Sequence, residues 1–222
     1  MMSDRRSSSK RHVPAGEHWQ KQFGVAPTDL LWPGRSPAGT CRFDEDLRSL
    51  IIQANKSIRL VALGDFQPGD PGFTFSVEMQ PQTPAAEFGV FLGYHPGNEG
   101  NQFVTQFQTL QLRIMSTALA ERTVLVRRCL TKINSQTGLV ETTQNHQMIL
   151  TLPLLPERLL FVVQLRDDSL PLIMLNGQKC HELDSGTRNA RFLAADHWGR
   201  FGVFMKDGTV WFSHPHFERS PP

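Results

Sequence analysis

Gly199 to Phe217 reads GRFGVFMKDGTVWFSHPHF. Two short runs of alternating apolar residues flank Lys206-Asp207-Gly208. Asp-Gly between such runs is a strong hairpin signal, because both residue types tolerate positive φ. The stretch therefore predicts two strands, Phe201 to Met205 and Thr209 to Ser213, with a turn between them.

The same grammar recurs toward the N-terminus. Leu170 to Leu175 ends at Asn176-Gly177, a type I′ turn signal. Leu159 to Arg166 and His146 to Leu152 are predicted strands separated by Pro153 and Pro156. Val124 to Leu130 precedes a loop through Asn134-Ser135-Gln136-Thr137-Gly138. Gln102 to Met115 is one long strand or two joined ones, after a loop at His95–Gly100. Phe88 to Tyr94 carries Gly89 and Gly93, where a bulge or a close backbone approach is expected. In Phe73 to Met79, Phe73, Phe75, Val77 and Met79 share one face and Thr74, Ser76 and Glu78 the other, the pattern of a half-buried strand. Leu47 to Ala54 also fits a helical face; it is assigned, with Ile58 to Leu63, to two short strands. Turn signals roughly every 8–15 residues favour a sandwich or barrel over βαβ units. The expectation is an all-β domain: a two-sheet antiparallel β-sandwich of about eleven strands with little helix.

A chain of 222 residues can form one large β domain with a real core. Fifteen Phe against one Tyr point to aromatic core packing. The formal net charge of +2 is too small to imply a nucleic-acid partner. It is also uneven, since Arg5, Arg6, Lys10, Arg11 and Lys21 face only Asp4 and Glu17 in the first 21 residues. Residues 1–18 read as a disordered basic tail. Residues 19–222 read as a single domain, with an irregular lead-in at 19–40 pinned by Trp19, Phe23 and Trp32. Cys41, Cys129 and Cys180 are far apart, odd in number and form no CxxC, which fits reduced thiols in a cytoplasmic protein. No apolar stretch follows the basic N-terminus as in a signal peptide, and no apolar run is long enough to span a membrane as a helix.

Leu175-Asn176-Gly177, a polar loop, then Gly199 to Phe204 and Gly208 to Phe212 together resemble the closing strands of the concanavalin A-like lectin/glucanase superfamily, including its laminin G-like jelly rolls. Phe88 to Tyr94 is similar to the central strands of that superfamily. The resemblance covers residues 40–217 and implies a jelly roll. Members include lectins, sugar-binding modules, glycoside hydrolases and domains of bacterial signalling or envelope proteins, so fold alone does not select an activity.

A glycosidase of this kind needs two carboxylates. The laminarinase-like relatives carry Glu-x-Asp-x-x-Glu, and this chain lacks it. Glu182-Leu183-Asp184 supplies two positions, but Thr187 stands at the third. Asp44-Glu45-Asp46 reads as an acidic turn. His214 and His216 would share a strand face, but Pro215 reads as a strand end and no third metal ligand is evident. Asp65, Asp70 and Asn98 lie in candidate loops that nothing draws together for calcium. No cofactor, metal or catalytic residue is assigned.

A sugar-binding surface needs an aromatic face with planar amides or Arg beside it. With Val210 and Phe212 inward, Trp211 points to the wet face. Leu110, Leu112 and Ile114 inward leave Gln111 and Arg113 outward. Gln164 alternates in the same way, and one of Arg127 and Arg128 must face out. Tyr94 and Trp198 sit at loop edges. The leading expectation is a soluble, non-catalytic, lectin-like binding module for carbohydrate or another polar surface, using Trp211, Gln111, Arg113, Arg127, Gln164, Tyr94 and Trp198. The alternatives are a carbohydrate-active hydrolase with a dispersed carboxylate pair, and a structural protein-interaction domain with a protein partner. No nucleic-acid or membrane partner is expected.

Overall fold

The computed structural model describes residues 30–31, 39–44, 46–67, 72–100, 102–117, 120–154, 157–166, 169–180 and 198–220. The expected basic tail, most of the lead-in, the loop at 181–197 with its Glu182-Leu183-Asp184, and Asp70 lie outside these residues.

Among the described residues every regular element is a strand. They are β1 Leu30–Leu31, β2 Gly39–Asp44, β3 Ser49–Ala54, β4 Arg59–Phe66, β5 Gly72–Pro81, β6 Glu87–Glu99, β7 Gln102–Thr117, β8 Glu121–Asn134, β9 Val140–Pro153, β10 Leu159–Arg166, β11 Ser169–Leu175, β12 Gln178–Lys179 and β13 Gly199–Arg219. All pairings are antiparallel. A front sheet runs β1-β4-β13-β6-β7-β8-β9, and a back sheet runs β12-β11-β10-β5-β13-β3-β2.

β13 belongs to both sheets, which corrects the hairpin reading. Gly199–Met205 pairs with β4 and Arg200–Asp207 with β6, whereas Gly208–Arg219 pairs with β3 and β5, so the two halves are not paired with each other. They face each other through side chains instead: the rings of Phe201 and Phe217 stack at 4.7 Å. A type I′ hairpin turn needs two consecutive residues at positive φ. At Lys206-Asp207-Gly208 only Gly208 has one, at 91°. The corner's polar groups are taken up by neighbouring corners. Ser57 donates its N–H to the Lys206 carbonyl at 3.0 Å, Thr209 donates its N–H to Thr83 Oγ1 at 3.0 Å, and Gln82 donates to the Thr209 carbonyl at 2.8 Å. The β3–β4 and β5–β6 connections thus pass from back sheet to front sheet beside β13.

The core follows the alternation read in the sequence. Phe73, Phe75, Val77 and Met79 are buried, and Thr74, Ser76 and Glu78 between them are partly exposed. One apolar cluster joins these to Phe88, Val90, Leu110, Leu112, Val124, Val126, Phe161, Val203 and Val210 of both sheets. Phe201 anchors it, with its ring 5.2 Å from Phe73 and 5.2 Å from Phe75. Such ring pairs add roughly 0.5–1.5 kcal/mol each beyond their area burial.

Several expectations need correction. The lead-in holds β1, which pairs Leu30 and Leu31 with Val61 and Leu60 of β4, and ends in the first two residues of β2, which pairs with β3. His95–Gly100, read as a loop because of Pro96 and Gly97, extends β6 as far as Glu99, paired residue for residue with Gln102–Gln106. Pro at an edge or irregular position removes only one donor, so neighbouring pairs hold the ladder. Pro215 does not end its strand; a bulge at His214-Pro215, with His214 at φ 47°, absorbs it, and β13 runs on to Arg219. Asn176-Gly177 has the predicted geometry, both residues at positive φ (49° and 78°).

Candidate functional site

The bulge in β6 builds the most chemically specific part of the surface. Between Leu92 and His95 the register with β7 shifts, and Gly93 adopts φ 67°. A bulge inserts a residue and re-aims its neighbours. Here it turns Tyr94 toward the outer face of the front sheet and His95 toward the opposite side, at the sheet's end. Gly199 closes on it from β13, where a Cβ would lie 2.7 Å from the Tyr94 carbonyl oxygen, so only glycine fits.

His95 is fixed on two sides. Its Nδ1 lies 2.8 Å from the Gly93 carbonyl oxygen and its Nε2 lies 3.2 Å from Gln106 Nε2. A carbonyl can only accept, so Nδ1 carries the proton and Nε2 accepts from the Gln106 amide. That leaves the Gln106 carbonyl oxygen as an oriented acceptor. Trp198 stacks on the His95 ring at 4.3 Å and 24°, and is 40% exposed. One indole is thus held flat by a clamped imidazole while much of its surface stays in water. On Tyr94's side of the sheet, Arg200 is exposed and pairs in register with Tyr94 and Asp65. Tyr94 packs against Phe107 at 5.6 Å. Burial raises its phenol pKa, and the nearby Arg200 charge and a Thr105 hydrogen bond offset that only in part, so the hydroxyl keeps its proton. Asp65 accepts a hydrogen bond from the Gln67 side-chain amide.

The sequence-predicted residues fall into three places. Tyr94 and Trp198 lie on opposite sides of the β6 bulge, Tyr94 against Phe91 and Phe107 and Trp198 against His95. Gln111, Arg113 and Arg127 lie together on the outer face of the front sheet, where Gln111 pairs in register with Arg127. There the expected wet face is not wet: Gln111 is buried at 4% exposure and donates to Thr109 Oγ1 at 2.9 Å. A second apolar cluster of Leu60, Phe91, Phe107, Ile133 and Phe204 occupies this face, so the central strands are buried on both sides. Arg127 faces out, and Arg128 is buried on the core side at 2% exposure. Trp211 and Gln164 belong to the back sheet. Trp211 is partly exposed, between Ile51 and Gln80 in register. Gln164 lies two strands away on β10, opposite Thr74.

Sequence reasoning missed His95, Gln106 and Arg200. Gly93 beside Tyr94 marked the bulge, but the pairing that brings Gln106 and Trp198 to His95 is long-range. Chemically, the site can stack an apolar ring face and hydrogen-bond polar groups at its rim. The carboxylates of Asp44, Glu78, Glu87, Glu99 and Glu218 are each ion-paired with a basic side chain or a histidine. Among the described residues no three His, Cys, Asp or Glu side chains converge as a metal site would need.

No protein-family model matches the chain, and no curated protein matches it by sequence. Among solved structures, the chain is similar to the carbohydrate recognition domain of Emp46p in its potassium-bound form, with a TM-score of 0.47, 8% identity, and 84% of this chain and 89% of that chain covered. It is also similar to the legume lectin-like domain from Entamoeba histolytica, with a TM-score of 0.44, 9% identity, and 85% and 91% covered. The metal-free form of the Emp46p domain gives a TM-score of 0.41 at 9% identity, with 84% and 88% covered.

Proposed function

We propose that this protein is a non-catalytic, lectin-like binding domain that holds a carbohydrate at the Trp198 rim. One observation carries the reading: the partly exposed Trp198 indole lies flat on His95, which Gly93 and Gln106 clamp in turn. A pyranose presents an apolar face of C–H groups and a rim of hydroxyls. An aromatic plate takes the first, and planar amides and guanidinium groups take the second. Trp198 is the plate, and Gln106 offers an oriented acceptor beside it. Preorganisation lowers the ordering cost of binding, because ring and amide are already fixed. The mechanism is reversible stacking and hydrogen bonding, with no bond made or broken.

The test is a broad glycan array probed with the full chain, Trp198→Ala and Trp211→Ala. The reading expects a defined set of bound glycans, lost in Trp198→Ala and kept in Trp211→Ala. Loss in Trp211→Ala alone would move the site to the back sheet. No bound glycan at all would remove the carbohydrate reading.

A further inference from the structure

At the other end of the outer front-sheet face, three cations converge on one carboxylate. Glu87 Oε1 lies 3.0 Å from Arg127 Nη2 and 3.5 Å from Arg113 Nη1, and Oε2 lies 3.1 Å from Lys206 Nζ. The four side chains come from β6, β7, β8 and β13, so the sheet itself sets their spacing. Glu87 is the most enclosed, with its side chain 13% exposed; Arg113 and Lys206 are 42% and 44% exposed. The neighbouring Asp207, in register with Glu87, makes no ion pair with these cations; its Oδ1 accepts from the backbone N–H groups of Gly208 at 3.1 Å and Lys56 at 3.4 Å. Glu87 is therefore outnumbered three to one.

An ion network that served stability alone would not gather three like charges around one partner, since like charges repel at this range and Arg127 is only 20% exposed. The geometry also leaves donors over. Arg113 touches Glu87 through one of five N–H groups and Lys206 through one of three. Both remain at the surface, held in place by the carboxylate between them.

We infer that Arg113, Arg127 and Lys206 form an oxyanion-binding site, which takes a sulfate or carboxylate group, with Glu87 as the internal counter-ion that preorganises it. Two forked guanidinium groups and one ammonium suit a tetrahedral or planar oxyanion. The site is independent of the Trp198 rim. Arg113 and Gln106 are seven residues apart on β7, about 23 Å at roughly 3.3 Å per residue. Free inorganic anions and acidic groups on a sugar share this chemistry.

The experiment titrates the full chain with inorganic sulfate at constant ionic strength, and separately with a sulfated hexasaccharide, following the arginine Nε resonances by NMR. The proteins are wild type, Arg113→Ala/Lys206→Ala and Glu87→Gln. Arg113 and Lys206 are exposed, so their removal leaves the fold intact, and the remaining amide spectrum checks this. The inference expects saturable shifts at Arg113 and Arg127 and binding weakened about tenfold or more in the double variant. It expects tighter binding in Glu87→Gln, where the amide oxygen still accepts from the same donors and the competing negative charge is gone. Tighter binding of the hexasaccharide than of sulfate would assign the site to a sugar-borne anion, and equal binding to a free one. Non-saturable shifts, or binding unchanged in the double variant, would overturn the inference and leave an intramolecular ion network.

Discussion

Burial sets the chemistry of the three cysteines. Burial raises the Cys180 thiol to about 12 and the Cys41 thiol to about 11, and pushes Cys129 up as well despite the Arg127 and Lys206 charges nearby. Only the thiolate reacts at a useful rate. Ellman's reagent at about pH 8 should therefore label the native protein slowly. Three thiols should appear at once on unfolding in guanidinium. Fast labelling of even one native thiol would show that its pocket is open. Single residues also show where parity reading succeeds. The facing of Trp211 between Val210 and Phe212 was legible, because β13 alternates regularly there. The burial of Gln111 was not: parity gives the side of the sheet, and what covers that side depends on residues distant in sequence.

Elements explain both the strength of the sequence reading and its failure. β5 and β10 were legible almost to the residue, since one face is core and the other faces water. β13 was legible as two apolar runs about a corner, yet its partners were not, because a hairpin and an arch share the same local pattern. Long-range pairing also gathers Glu87, Arg113, Arg127 and Lys206, none of which marks the others in sequence. Their pH behaviour follows. Burial alone would raise the Glu87 pKa, but hydrogen bonds and charge from Lys206 and Arg127 bring it below the ordinary value. A carboxyl with a lowered folded-state pKa stabilises the fold fully above its unfolded value, and this is lost as pH falls through the lowered one. Urea midpoints of wild type and Glu87→Gln should differ at neutral pH and converge as pH falls through about 4.5 and below. A gap that stays constant down to acid unfolding would mean that Glu87 acts through packing and not through charge.

At the scale of the molecule, β13 ties the two sheets into one folding unit. Phe201, in the front-sheet half of β13, packs against three rings of the back sheet, Phe73, Phe75 and Phe217, so Phe201→Ala should cost about 3–5 kcal/mol. It should do so without splitting the transition, because neither sheet keeps a complete core alone. Two separated unfolding transitions by far-UV and near-UV circular dichroism would show that the sheets are independent. The all-β class was legible from turn spacing and alternation across the whole chain. The candidate site was legible only as scattered aromatic, amide and arginine positions; the fold places Tyr94 and Trp198 on opposite sides of the β6 bulge and sends Trp211 and Gln164 to the back sheet. The most direct test of the proposed function follows the four indole N–H resonances while an array-selected glycan is titrated into the full chain. The account predicts that the Trp198 signal shifts and saturates while that of Trp211 stays in place. A Trp198 signal unmoved at saturating glycan would contradict it.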